Sequence, residues 1–194
     1  EFRAGGQKLY LSPILDLFNG EIVAWETACR PTEELVKRML NKGLESLAEG
    51  EKPLLHSDQG WHYRIKSYQS ALADRGLVQS MSRKGNCLDN AVMENFFGHL
   101  KEEMYYRRDY RNVEELENAV NEYITYWNQK RIKLSLGGLS PVEYRTEYQK
   151  AGYLQLSRFW GSVQTPYPAY KIVLIQNIAL YALGLISAAH EAIF

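Results

Sequence analysis

Cysteine is almost absent: the 194-residue chain has two, Cys29 and Cys87, far apart and without CxxC spacing. This excludes a disulfide framework and a cysteine-rich zinc site, and it fits a reduced, cytoplasmic setting. Net charge is absent too. With 23 Lys+Arg against 23 Asp+Glu, no global field draws the chain to nucleic acid, so affinity for DNA has to come from local basic clusters and bound metal ions. Long hydrophobic runs are also missing. The apolar stretch Ile178–Ala189 is 12 residues long, short of the about 20 a bilayer span needs, which argues against a membrane helix and for a buried or docking one. No glycine-rich phosphate loop and no Ser-His-Asp spacing stands out, which argues against a nucleotide cofactor and against acyl transfer. His56 and His62 lack both a cysteine partner and a helical spacing that would align them, which argues against zinc. The chain opens Glu1-Phe2 with neither an initiator Met nor a basic-then-apolar leader, the pattern expected of an internal part of a longer product.

What is present is the composition of one globular domain with an appendage, 45% apolar and 12% aromatic. Leu9–Phe18 and Glu21–Thr27 flank Asn19-Gly20, a dipeptide suited to positive φ in a two-residue turn, and so predict a β-hairpin. Thr32, two acids, and apolar residues from Leu35 to Leu47 at a spacing near 3.6 predict a helix ending near Gly50. Pro53–Ser57 predicts a buried strand that stops at Asp58-Gln59-Gly60. A helix over roughly His62–Arg75 follows, closed by Gly76, then a strand Val78–Ser82 and a loop Arg83-Lys84-Gly85-Asn86. Asp89 or Asn90 can cap a helix running to Met104, and a long helix is predicted from Val113 to Gln129. Strands alternating with helices after an opening hairpin indicate an α/β sheet with helices on its faces.

Pro141, after the Ser140 cap, opens a short helix. Beyond Tyr148 the 46 remaining residues carry only Lys150, Arg158, Lys171 and Glu191 as charged groups. This shift divides the chain into a domain of residues 1–148 and an apolar tail of residues 149–194.

The most informative feature is a pair of acids in unlike contexts. Asp58 ends an apolar strand, Glu94 lies inside a helix with an aromatic face, and 35 residues separate them. An acid at the carboxyl end of a strand emerges at the rim of an α/β sheet, where ligand sites concentrate, and a Glu from a crossing helix can reach the same place. Two carboxylates converging there form a hard-oxygen site suited to Mg²⁺ or Mn²⁺. Taken singly, Asp58 also reads as a turn former and Glu94 as a solvated helix position.

His56-Ser57-Asp58-Gln59-Gly60, the run from Ser80 to Ala91, Glu94-Asn95-Phe96-Phe97, and Leu139-Ser140-Pro141-Val142-Glu143-Tyr144-Arg145 together resemble the integrase core domain of bacterial insertion-sequence transposases, a family related to retroviral integrases. The resemblance runs from about residue 1 to 148. It implies an RNase H-like mixed sheet flanked by helices, and an Asp, Asp, Glu triad with 35 residues between the last two members, which Asp58 and Glu94 match. The family's first Asp lies on an opening strand directly before the segment matching Glu1-Phe2, so the opening strand is expected to be truncated here and the next strand to show an unpaired edge. Asp16 belongs to the Leu15-Asp16-Leu17-Phe18 segment that the family carries besides its triad, and is not assigned to it.

The implied chemistry is phosphoryl transfer on DNA, with cleavage at the element ends followed by attack of the freed 3′-OH on target DNA. In the complete site it would use two Mg²⁺ or Mn²⁺ ions about 3.5–4 Å apart. The resemblance also implies a homo-oligomer that bridges two DNA ends. With two acids only, this chain is expected to be catalytically silent, and the alternative is a remnant that binds DNA or transposase without chemistry. Candidate DNA contacts are Arg83 and Lys84 before the Glu94 helix, and Asn90 and Lys101 on the same helix face as Glu94. Arg107, Arg108 and Arg111, and Lys130, Arg131 and Lys133, are weaker candidates, since solvated surface or helix-end charge explains them equally. Trp61 reads either as a base-stacking ring or as packing against the following helix.

Overall fold

The computed structural model of the chain describes residues 1–82, 91–157 and 172–175. In chain order these form β1 (Phe2–Ala4), β2 (Gln7–Asp16), β3 (Ile22–Ala28), α1 (Glu33–Glu45), β4 (Leu54–Ser57), α2 (Lys66–Asp74), β5 (Val78–Met81), α3 (Ala91–Glu103), α4 (Val113–Gln129), α5 (Pro141–Ser157) and β6 (Ile172–Ile175). Short 3₁₀ turns occur at Trp61–Tyr63, Tyr105–Arg107 and Leu134–Leu136. The expected hairpin is β2 and β3, paired from Tyr10↔Ala28 to Leu15↔Ile22, but its connection is longer than the expected two-residue turn, since β2 ends at Asp16 and β3 begins at Ile22 while the Gly20 N–H donates back to the Asp16 carbonyl. The helix expected from His62 instead begins with a 3₁₀ turn and becomes α-helical at Lys66. The helix opened by Pro141 runs on to Ser157. The Arg83–Asn86 loop, the caps at Asp89 or Asn90, and the stretch Ile178–Ala189 lie outside the described residues.

The sheet is mixed. β2 pairs antiparallel with β3, β1 and β6, while β6, β4 and β5 run parallel to one another. Alternation along β2 sends its side chains to two cores. Leu9, Leu11 and Leu15 join Met93, Phe96, Phe97 and Leu100 of α3 and Leu116, Val120, Ile124 and Trp127 of α4 on one face. Ile14 joins Val36, Met39, Leu40 and Leu44 of α1, Leu55 of β4 and Leu72 of α2 on the other. α1 lies close against the sheet because residue 43 is glycine: a Cβ there would stand 2.5 Å from Ile14 Cδ1.

The tip of the β2–β3 hairpin ties the two helices at the C-terminal end of the domain to the sheet. Gly20 has φ 72°, as the turn requires, and its carbonyl accepts from Trp127 Nε1 at 2.8 Å and from Lys133 Nζ at 3.2 Å. Asn19 Nδ2 donates to the Pro141 carbonyl at 2.8 Å, and Arg145 pairs with Glu21 at 2.8 Å. Ser140 and Glu143 form a capping box: the Ser140 N–H donates to Glu143 Oε2 at 2.8 Å and the Glu143 N–H donates back to Ser140 Oγ at 3.4 Å. The Leu139–Arg145 motif therefore serves the fold.

Two predictions follow from these contacts. The Asn112 side chain caps α4 by accepting from the Glu115 N–H at 2.8 Å, so Asn112→Ala is expected to cost about 1 kcal/mol in denaturant unfolding. Burial, and next the nearby Arg131 charge, lower the Lys133 ammonium from 10.5 to about 8. Between those values the unfolded chain holds more protons than the folded one, so this group makes stability rise with pH over that window. Lys133→Met keeps the stem over the Trp127 ring and is expected to flatten the rise, as read from urea midpoints between pH 7.5 and 10.5.

Candidate functional site

The site is built at the carboxyl end of the parallel strands. β4 ends at Ser57 because Asp58-Gln59-Gly60 turns the chain: Asp58 Oδ1 accepts the Gly60 N–H at 2.8 Å, and a Cβ at residue 60 would lie 2.8 Å from that oxygen. Asp58 is half-buried. Loss of solvent pushes its carboxyl above the usual range, against the opposing pull of the Gly60 N–H and the nearby His62. Its other oxygen, Oδ2, has no hydrogen-bond partner among the described residues.

The β4–β5 register sets His56 opposite Ser80 and Ser57 opposite Met81. His56 Nδ1 and Nε2 lie 3.0 Å from Ser80 Oγ and 3.1 Å from Ser82 Oγ. The imidazole is thus a strap between strands, with both nitrogens engaged. Gln59 Nε2 donates to the Ser82 carbonyl at 3.0 Å, and the Ser82 N–H donates to the Ser57 carbonyl at 2.9 Å. These bonds hold the end of β5 against the turn that carries Asp58.

The chain returns at α3, and Glu94 lies in its first turn. Met93, Phe96, Phe97 and Leu100 are buried against the sheet, which fixes the helix, while Glu94 is exposed and makes no ion pair or hydrogen bond among the described residues. Both acids thus stand on elements anchored by the core. Among the described residues no group of three His, Cys, Asp or Glu side chains is placed to hold a metal. Asp58 and Glu94 are both carboxylates, the donor type that Mg²⁺ and Mn²⁺ prefer.

Asp16 is 1% exposed and belongs to the hairpin: its Oδ1 accepts the Phe18 N–H at 2.9 Å, and its backbone bonds to Glu21 and Gly20. Of the DNA-contact candidates, Arg83, Lys84 and Asn90 lie outside the described residues. Lys101 is half-buried and close enough to the Glu1 amino group to help lower it to about 6, burial being the larger cause. Arg131 and Lys133 are engaged in the fold. Arg131 pairs with Glu103 at 2.7 Å, and both cations lie over the Trp127 ring, at 4.8 and 4.2 Å from its centroid. Arg107 Nε donates to the Glu102 carbonyl, and the Arg108 guanidinium lies 4.9 Å from the Tyr110 ring centroid. Trp61 is 52% exposed and stacks on His62 at 3.8 Å, beside the Asp58 turn.

A network of Glu103 with Arg131, His99 and Tyr123 went unread in the sequence. The i,i+4 spacing of His99 and Glu103 is its one local signal.

Comparison with known proteins agrees with this geometry. Two Integrase core domain families match, one over residues 1–87 and one over residues 94–148. The putative transposase InsK for insertion sequence element IS150 of Escherichia coli (strain K12) is 52% identical over 147 residues, which cover 76% of this chain and 52% of that protein. An uncharacterized transposase-like protein of Haemophilus influenzae is 53% identical, with 76% of this chain and 68% of that protein covered. The chain therefore spans between about half and two thirds of these relatives. The catalytic core domain of HTLV-2 integrase, solved in complex with magnesium, superposes with a TM-score of 0.55 at 16% identity, covering 74% of this chain and 88% of that one. This likeness fixes the fold as RNase H-like. With its acid-bearing strand end and acid-bearing helix in this sheet, the chain belongs to the integrase core domain family of insertion-sequence transposases.

Proposed function

We propose that the domain is the phosphoryl-transfer core of a DNA transposase, with Asp58 and Glu94 as its metal-binding carboxylates, and that residues 1–194 alone do not complete the catalytic set. The observation that carries this reading is the pairing of a strand-end Asp with a first-turn Glu 35 residues later, in a chain of this family. The relatives it matches are transposases of insertion elements, and one structural neighbour was solved with magnesium. Asp58 offers an oxygen with no protein partner beside a rigid turn. Glu94 offers an exposed carboxylate on a helix pinned by Phe96 and Phe97.

A divalent ion bound there supplies neutralisation of phosphate charge and acidifies the attacking water or 3′-OH. The chain's own part is to hold two carboxylates of unlike exposure at one sheet rim and to bring DNA phosphates to them. Lys101 lies two turns beyond Glu94 on α3 and supplies a cation for a neighbouring phosphate.

The test is Mn²⁺-dependent cleavage and strand transfer on DNA carrying element ends, run on this chain and on a version extended upstream. Activity is expected in the extended protein only. There, Asp58→Asn and Glu94→Gln are each expected to lower the rate at least about 100-fold with an unchanged melting temperature. Strand transfer at full rate by the 194-residue chain would overturn the second half, and full activity of either variant the first. Lys101→Ala is expected to reduce the slope of log affinity against log salt by about one. An unchanged slope removes Lys101 from the interface.

A further inference from the structure

The edge of β2 turned away from β3 holds two separate pieces of chain. β6 pairs with Ile14–Asp16 of β2 on one side and with Leu54–Ser57 of β4 on the other. β1 pairs with Gln7–Leu9 of the same β2. Both pieces lie on one edge of β2, as strand alternation establishes. The Asp16 N–H and carbonyl bond toward β3, to Glu21 and Gly20. Even-numbered residues of β2 therefore face β3, because the irregularity near Ile14 and Leu15 places its extra residue, Val23, in β3. Ile14 and Leu15 pair with β3 and β6 at once, which sets β6 on the opposite edge. The Arg3 N–H and carbonyl both engage Tyr105 Oη, so Arg3 faces away from β2, and Phe2 is the residue that bonds to Leu9. Leu9 is odd-numbered, so β1 lies on the β6 edge.

β1 and β6 also run in the same direction, both antiparallel to β2. They are two segments of one lane, separated by the positions opposite Tyr10 to Pro13. Pro13 has no N–H to offer, and it falls in this gap. Extending the β1 register places Glu1 opposite Tyr10. The fourth, fifth and sixth residues before Glu1 in a longer chain would then coincide with Ile175, Leu174 and Val173.

We propose that residues 172–175 are a stand-in strand: they fill the lane between β2 and β4, and any extended segment leading into Glu1 competes with them for it. The lane accepts a strand running antiparallel to β2 and parallel to β4, and it ends beside the site, since Ile175 is opposite Ser57, the last residue of β4, and Asp58 follows it. Only one occupant can satisfy the backbone groups of Ile14–Asp16 and Leu54–Ser57 at a time. The chain is thereby a sheet with an exchangeable central strand, whatever chemistry the acids perform.

The test uses disulfide trapping in the full chain, with Cys29→Ser and Cys87→Ser. Ile14 faces β3, so Ile14 and Ile175 form a non-hydrogen-bonded pair across the lane, whose Cα separation of about 4.5 Å suits a disulfide. Ile14→Cys with Ile175→Cys is expected to cross-link under mild oxidation at least about tenfold faster in native buffer than in denaturing urea. Equal rates would overturn the placement of β6. Adding six residues of alternating Val and Thr before Glu1 is expected to slow that cross-link at least about tenfold while a cooperative melt is retained. An undiminished rate, or an extension that unfolds the chain without taking the lane, would overturn exchange.

Discussion

The rest of the structure depends on one constraint, that the lane between β2 and β4 must be occupied. These strands carry the hydrophobic residues that join the two cores, and an empty lane would leave two rows of backbone N–H and C=O groups unpaired inside the sheet. Each unpaired group costs about 1–3 kcal/mol, a large share of the 5–15 kcal/mol that stabilises a typical domain. The strand Ile172–Ile175 meets this requirement, with β1 meeting part of it farther along β2. Only with the lane filled does β4 have a fixed place, and with it the turn that carries Asp58.

From that sheet the site follows by short steps. Parallel pairing of β4 with β5 brings their carboxyl ends together, and His56, Ser80, Ser82 and Gln59 lock them. The locked end defines where Asp58 emerges, and α3, held by Met93, Phe96, Phe97 and Leu100, sets Glu94. On the far side the hairpin tip at Asn19–Glu21 receives Trp127, Lys133, Pro141 and Arg145, so α4 and α5 are positioned by the same strand pair. Burying Lys133 there disfavours its charged form, and this is offset in part by the Gly20 carbonyl and the Trp127 face.

Much of the basic character that a linear reading assigns to DNA is consumed by the fold. Arg131 serves Glu103, and Lys133 serves the hairpin. Clustered cations in sequence show that positive charge is near, but a helix carboxylate 28 residues away, Glu103 for Arg131, or a hairpin carbonyl 113 residues away, Gly20 for Lys133, decides whether it is available. Lys101 differs in having no carboxylate partner among the described residues and in sharing a helix with Glu94.

The sequence by itself determined the hairpin at Asn19-Gly20, the bounds of α4 and the α/β class, because turn chemistry and apolar period are local. Tertiary structure alone decided that residues 172–175 enter the sheet and that Arg131 and Lys133 are spent on the fold. The Ser140–Arg145 motif was legible as a cap, but its docking onto the hairpin tip was not. These outcomes turn on partners that are distant in the chain, and local sequence carries no record of which backbone edge or buried ring a segment will meet. A strand such as Ile172–Ile175 reads locally as part of an apolar tail. It becomes the middle of a sheet only because β2 and β4 leave a gap of its width, with a row of donors and acceptors on each side.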